Sequence, residues 1–167
     1  DEVARLADRL LLLRAGQVQD QGPTAELLAR LDVALTQGDA ASALIEGAVA
    51  AVDEADQLLH VRFGGGVLQC VQTPGAPTRA RGQRLRLRVQ ARDVSLTLSA
   101  AQDTSILNVL PATVHSLAED GPAQTLVALD VGGTPLLARV TRRSARLLAL
   151  DPGQPVFAQI KGVAVLD

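Results

Sequence analysis

The sequence predicts a mainly β protein: small five-stranded barrels of OB-like character, in two tandem or intertwined copies, preceded by a short α/β segment. Three observations carry this expectation. From Glu46 onward, apolar residues alternate in short runs such as 58–63 and 84–89, each bounded by Gly or Pro. The pattern then occurs twice. Residues 46–96 hold Val49, the 58–63 run, Gly64-Gly65-Gly66 and a strand after Gly82; residues 111–166 hold Val114, the 126–131 run, Gly132-Gly133 and a strand after Gly153. Finally, setting Gly82 on Gly153 puts Leu85 on Val156, Leu87 on Ala158, Val89 on Ile160 and Val94 on Val165. That alignment keeps the inward-facing parity of every strand, which a slip of one residue would reverse. Similar short strands separated by Gly turns suit small closed sheets.

Composition narrows the functional classes. The chain has 167 residues, 47% hydrophobic and 20% charged, enough to bury a core. A net charge of -2 gives no reason to expect nucleic acid or membrane affinity. Only Phe63 and Phe157 are aromatic, so a base-stacking surface is not expected. Cys70 is the single cysteine, which excludes an intrachain disulfide and fits a reducing compartment. His60 and His115 stand without ligands at metal-binding spacing, and no catalytic Ser/His/Asp or paired-carboxylate grouping is legible. No apolar run approaches the roughly 18 residues that span a bilayer. Neither Met nor a leader pattern opens the chain, which predicts a piece of a longer protein.

The elements follow in order. Val3, Leu6, Ala7 and Leu10 recur at helical spacing, so residues 1–8 read as the end of an amphipathic helix. Residues 9–13 read as a buried strand, Ala15-Gly16 as a turn and residues 17–21 as the return strand. After Gly22-Pro23, Thr24 is placed to cap a helix over 25–31. Residues 32–45 are Ala-rich around Gly38-Asp39 and read as a linker. Two OB-like halves follow, 46–98 and 99–167. In the first, Arg79, Arg81, Arg84, Arg86 and Arg88 form a basic run whose last three members alternate with Leu85, Leu87 and Val89, the pattern of a solvated strand face.

The opening segment DEVARLADRLLLLRAGQVQDQGPTAELL resembles the end of an ABC-transporter ATPase domain, with Ala7-Asp8-Arg9, the apolar strand, Gly16 and Gly22 to Leu27 in the family's order. The resemblance assigns residues 1–31 to that domain's C-terminal end. No G-x-x-x-x-G-K-[ST] loop, acidic strand end or switch histidine is present, so the chain is not expected to hydrolyse ATP by itself; ATP belongs to the rest of such a subunit.

Three segments of the second half carry hydroxyls and cations. They are TSILN (104–108), ARVTRRSARLLAL (138–150) and AQIKG (158–162). The middle segment has Thr141, Ser144 and four arginines with no acid before Asp151. A tetrahedral dianion only accepts hydrogen bonds, so it favours hydroxyls, backbone N–H groups and a cation. Plainer readings stand beside this one. Ser105 and Asn108 suit turn hydrogen bonds, Thr141 and Ser144 suit a cap on a helical turn over 144–148, and Lys161 suits an edge-strand lysine.

These residues also carry a family resemblance. TSILNVLPATV, ARVTRRS, LDPGQPV and AQIKGVAV look like the molybdate-binding (Mop) domain, an OB-like fold. The resemblance implies an oxyanion site at Ser105, Thr141, Ser144 and Lys161, lying between subunits. The family's arginine position is Leu107 here, which removes one positive donor and leaves Arg142 or Arg143, with Asn108, as supporting residues. Together with the N-terminal resemblance, this implies the C-terminal region of a molybdate or tungstate importer's ATPase subunit. Such a subunit is a homodimer working with a permease on the cytoplasmic face of the inner membrane, with molybdate or tungstate as ligand and no cofactor. A purely structural dimerisation domain, or the accessory domain of an importer for another solute, are the alternatives.

Overall fold

A computed structural model describes residues 2–36 and 38–166. Asp1, Gln37 and Asp167 lie outside the described residues, so the helix expected over 1–8, the linker over 32–45 and the half over 99–167 are each described without one residue.

The first element is helix α1 (Glu2–Leu6), followed by an antiparallel hairpin of β1 (Arg9–Arg14) and β2 (Gln17–Pro23). Ala15 and Gly16 both adopt positive φ, 50° and 77°, the backbone that lets a two-residue turn match strand twist. Helix α2 (Thr24–Leu28) comes next, but Thr24 does not cap it. The Thr24 side chain is buried, and its hydroxyl donates to the Ala7 carbonyl at 2.8 Å while its N–H donates to Asp8 O at 3.0 Å. The hydroxyl is drawn inward because the chain before β1 passes directly beside it.

The stretch expected as a linker is packed and regular. It holds helix α3 (Leu31–Thr36), a 3-10 turn (Gly38–Ala40) and the first residues of β3 (Ser42–Asp53). Its small side chains look featureless in sequence, yet Ala34 and Ala41 are fully buried against Ala91, Leu126, Ala128 and Leu137. Alanines let the helix lie close to the sheet, and close packing is what burial rewards.

The remaining strands are β4 (Leu58–Phe63), β5 (Gly66–Val71), β6 (Arg84–Gln90), β7 (Val94–Thr97), β8 (Asn108–Asp120), β9 (Gln124–Val131), β10 (Thr134–Thr141), β11 (Pro155–Ile160) and β12 (Ala164–Leu166), with helix α4 (Arg142–Leu147) after β10. They form two five-stranded sheets ordered β12-β6-β3-β4-β5 and β10-β9-β8-β11-β7. The fold is mainly β and OB-like, as expected. The two halves are intertwined rather than tandem: β7, from the first half, pairs with β11 of the second, and β12 pairs back onto β6 of the first.

The internal repeat extends to single hydrogen bonds. Val49 N–H donates to Gln83 O, and Gly82 N–H to Val49 O at 2.8 Å; Val114 N–H donates to Gln154 O, and Gly153 N–H to Val114 O at 2.7 Å. Each long strand carries a bulge just past that point, between Val49 and Ala51 and between Val114 and Ser116. A bulge bends a strand and raises its twist, which lets β3 and β8 each curl through a sheet. The glycine turns of the halves meet back to back. A Cβ on Gly65 would lie 2.2 Å from Val131 O, and one on Gly132 would lie 2.8 Å from Gly65 Cα. Only residues without side chains permit that approach.

One apolar core runs through both sheets, including Ile45, Val61, Leu68 and Leu87 of the first half with Leu129, Leu136, Val156 and Ile160 of the second. Cys70 is part of it, and burial pushes its thiol up to about 11, so it packs as a small apolar residue. Strand β6 shows the alternation plainly, with Leu85, Leu87 and Val89 inward. In β9, residues 126–129 are all buried, because α3 covers the face that would otherwise meet water.

Asn108 joins the sheets where no ladder does. It is 6% exposed, and its carboxamide accepts from Gln69 N–H at 2.7 Å and donates to Gln69 O at 2.9 Å, copying a strand partner. Asn108→Ala leaves both backbone groups unmatched and is expected to cost about 2 kcal/mol, read as a lower urea midpoint at unchanged slope. A loss under about 0.5 kcal/mol would contradict this bridging role.

Candidate functional site

Thr141 closes β10 in an extended conformation and is the N-cap of α4, its Oγ1 accepting from Ser144 N–H at 3.0 Å. The Thr141 and Ser144 hydroxyls lie 2.8 Å apart. The cap anticipated from sequence is therefore formed, with the helix beginning at Arg142 rather than Ser144. A cap bond uses an oxygen lone pair and leaves a hydroxyl proton of the pair to donate outward.

The arginines around this pair are less free than the sequence implies. Arg139 is buried, its Nε donating to Asp120 Oδ2 at 2.6 Å and its Nη2 to Gly38 O at 2.6 Å. Arg142 pairs with Glu119 at 3.2 Å and donates to Pro122 O at 3.3 Å. A segment free of acids in sequence thus receives three carboxylates in space: Asp120 and Glu119 from the end of β8, and Asp39 of the 3-10 turn, whose Oδ1 lies 3.6 Å from Arg139 Nη1. Arg143 and Arg146 are exposed. Asn108, expected as a supporting residue, is occupied by Gln69.

Ser105 and Lys161 form the other group. Ser105 is exposed just ahead of β8, in a turn where Thr104 Oγ1 accepts from Ile106 N–H at 3.1 Å. Lys161 is exposed just after β11, with its backbone N–H donating to Asp93 O at 2.9 Å. Asn108 and Ile160 are register partners, so Ser105 and Lys161 leave the sheet at the same end. Thr141 pairs with Gln124, which pairs with Asp120 at the far end of β8. The fold therefore sets the Thr141–Ser144 pair at one end of β8 and places Ser105 and Lys161 beyond the other. Leu107 is 57% exposed beside the Ser105 end.

Register also gives each site residue a counterpart in the first half. Lys161 corresponds to Gln90, Thr141 to Thr73, Ser144 to Ala76 and Ser105 to Ala40. Two of the four donors and the positive charge are lost there, so this combination is peculiar to the second half.

Sequence reasoning missed a second polar centre. Arg86, read as part of a solvated strand face, has a side chain only 20% exposed. Its guanidinium donates to Asp8 Oδ1 at 2.7 Å and Glu46 Oε1 at 3.3 Å, and to the carbonyls of Arg5 at 3.2 Å and Ala7 at 3.3 Å. Asp8, foremost among its partners, raises the Arg86 pKa. Arg86, Asp8 and Glu46 border an open groove of about 750 Å³ that also meets Arg62 and Arg84. The alternation at 84–88 signals an outward face, but Asp8 is 78 residues away in sequence. No cluster of three His, Cys, Asp or Glu that could hold a metal occurs among the described residues.

Residues 104–166 match the model of the TOBE domain. Over nearly its whole length the chain is similar to the C-terminal part of molybdenum import ATP-binding proteins. It is 58% identical over 166 residues to ModC of Albidiferax ferrireducens, covering 99% of this chain and 44% of that protein. It is 53% identical over 167 residues to ModC of Pseudomonas syringae pv. tomato, covering 99% and 46%. The chain thus spans less than half the length of these relatives. Among solved structures it is similar to ModG, a cytoplasmic molybdate-binding protein in a form with molybdate bound: 27% identity, TM-score 0.65, covering 73% of this chain and 93% of that one. Among the described residues no helix is long and apolar enough to cross a membrane.

The Arg139–Asp120 pair yields a stability test. Arg139 is 3% exposed and Asp120 19%, so Asp120→Asn removes the nearest countercharge of a buried guanidinium, leaving it Asp39 at 3.6 Å and the Gly38 carbonyl. Such a loss costs about 1–3 kcal/mol, and thermal denaturation of Asp120→Asn is expected to show it. Glu119→Gln, which touches only an exposed pair, is expected to change stability by under about 1 kcal/mol.

Proposed function

We propose that this chain is the oxyanion-binding regulatory region of a molybdate or tungstate importer's ATP-binding subunit. The observation that carries the reading is the Thr141–Ser144 hydroxyl pair, 2.8 Å apart at a capped helix start, in the half of the fold that also supplies Lys161 and Ser105. The similarity to molybdenum import proteins and to molybdate-bound ModG supports the choice of ligand.

Ser105 and Lys161 act from one end of β8, and Thr141 and Ser144 from the other. One oxyanion touching all four is therefore bound between two copies of the chain, each contributing one pair. The hydroxyls donate to oxyanion oxygens, Lys161 supplies positive charge, and Arg143, exposed beside the hydroxyl pair, adds to it. Four or five charge-assisted hydrogen bonds, each worth about 1.5–3 kcal/mol, are enough for micromolar affinity. The region acts in a homodimeric subunit that holds ATP in its remaining part and works with a permease at the cytoplasmic face of the membrane. Oxyanion that binds one dimer arrangement better than another shifts the dimer toward it, lowering import when the cell is replete.

A second reading, a dimerisation domain without ligand, is favoured by Leu107, an exposed apolar residue where the resembled family has arginine. Calorimetry with molybdate, tungstate and sulfate, on a dimer verified by sedimentation, separates the two. Heat with molybdate or tungstate, lost in Lys161→Ala and reduced at least tenfold in affinity in Thr141→Ala, is the expected result. No heat with any oxyanion from a proven dimer would leave the dimerisation reading.

A further inference from the structure

We infer that Arg86 is the positioning residue through which occupancy of the Lys161 end of the oxyanion site reaches the N-terminal segment. The inference rests on the function proposed above and adds a route and a residue to it.

The route runs through backbone, packing and hydrogen bonds. Lys161 N–H is fixed to Asp93 O at 2.9 Å, and the next residue packs so closely on the Asp93 carboxylate that a Cβ on Gly162 would lie 3.0 Å from Oδ2. The chain then crosses from the second sheet to the first, where β12 pairs with β6: Ala164 with Arg88, Val165 with Leu87 and Leu166 with Arg86. A lysine drawn toward an anion therefore pulls on a crossover only a few residues from Arg86's own ladder partner. On the opposite side of β6, Glu46 is Arg86's partner in β3 and also pairs with its side chain.

From Arg86 the path leaves the sheets. Its guanidinium reaches the carbonyls of Ala4 at 3.5 Å, Arg5 at 3.2 Å and Ala7 at 3.3 Å and the carboxylate of Asp8 at 2.7 Å. Three of these acceptors are carbonyls at the end of α1 or just beyond it, where a helix leaves its last carbonyls without partners and favours a cation. Thr24 fastens the same spot, donating to Ala7 O and Asp8 O. A shift of β6 thus acts at one place on α1 and the β1–β2 hairpin. In the longer relatives, further chain lies outside the region matched here.

Coupling of this kind is a difference between ligand states, which separates it from a purely structural clamp. The test is amide hydrogen exchange at Ala7 and Thr24 in this chain, with and without saturating sodium molybdate, alongside calorimetry. Wild type is expected to slow exchange at both amides at least threefold on binding. In Arg86→Gln and in Asp8→Asn, exchange should be faster in both states and the molybdate-dependent ratio should fall to one, with molybdate still bound. Asp8 is exposed, so its variant keeps the barrels intact if Arg86→Gln unfolds. Molybdate heat with no change of exchange in wild type overturns the inference alone, as does a threefold ratio that survives in both variants. No molybdate heat overturns the proposed function and this inference together.

Discussion

Each half of the duplicated fold ends in a strand that it gives away. Strand β7 hydrogen-bonds to β11 and β12 to β6, so neither five-stranded sheet is complete without the other half's chain. Other features reinforce this exchange. The glycine turns at 64–65 and 132–133 press backbone on backbone, and Asn108 replaces a missing ladder by clasping Gln69. A side chain at either turn would push the halves apart and break the core that they share.

The exchange also decides where the candidate site can be. Lys161 sits on the segment that carries the chain from the second sheet to the first, held to Asp93 of the opposite half. The hydroxyl pair sits at the other end of β8, stiffened by its cap on α4. The two groups are held apart by the length of β8, which is why the proposed site is drawn between two copies of the chain. The same crossover sets Leu166 beside Arg86, whose guanidinium reaches the end of the N-terminal helix.

Duplication preserved the frame and not the donors. The bulges, the glycine bonds and the glutamine contacts recur in both halves, because each is needed to curl a long strand. The positions matching Ser105, Ser144 and Lys161 hold Ala40, Ala76 and Gln90 in the first half. Residues that a sheet requires for closure are retained by folding itself, whereas exposed side chains at the strand ends have no such constraint.

Much of this was legible in the chain. Alternation gave the strands, the glycines gave the turns, and equal parity in two segments gave the repeat, because each depends on neighbours along one strand. The hydroxyls and the lysine stood out for the same local reason. What the sequence could not decide depended on residues brought together from far apart. The Ala-rich stretch at 32–45 looked like a linker until α3 was seen packed on β9 and β10. The acid-free arginine segment acquired Asp120 and Glu119, and Arg86 acquired Asp8. Strand parity is set by a period of two that any single segment displays, but which half completes which sheet is set by shared burial of the whole core. Only the tertiary structure could settle that.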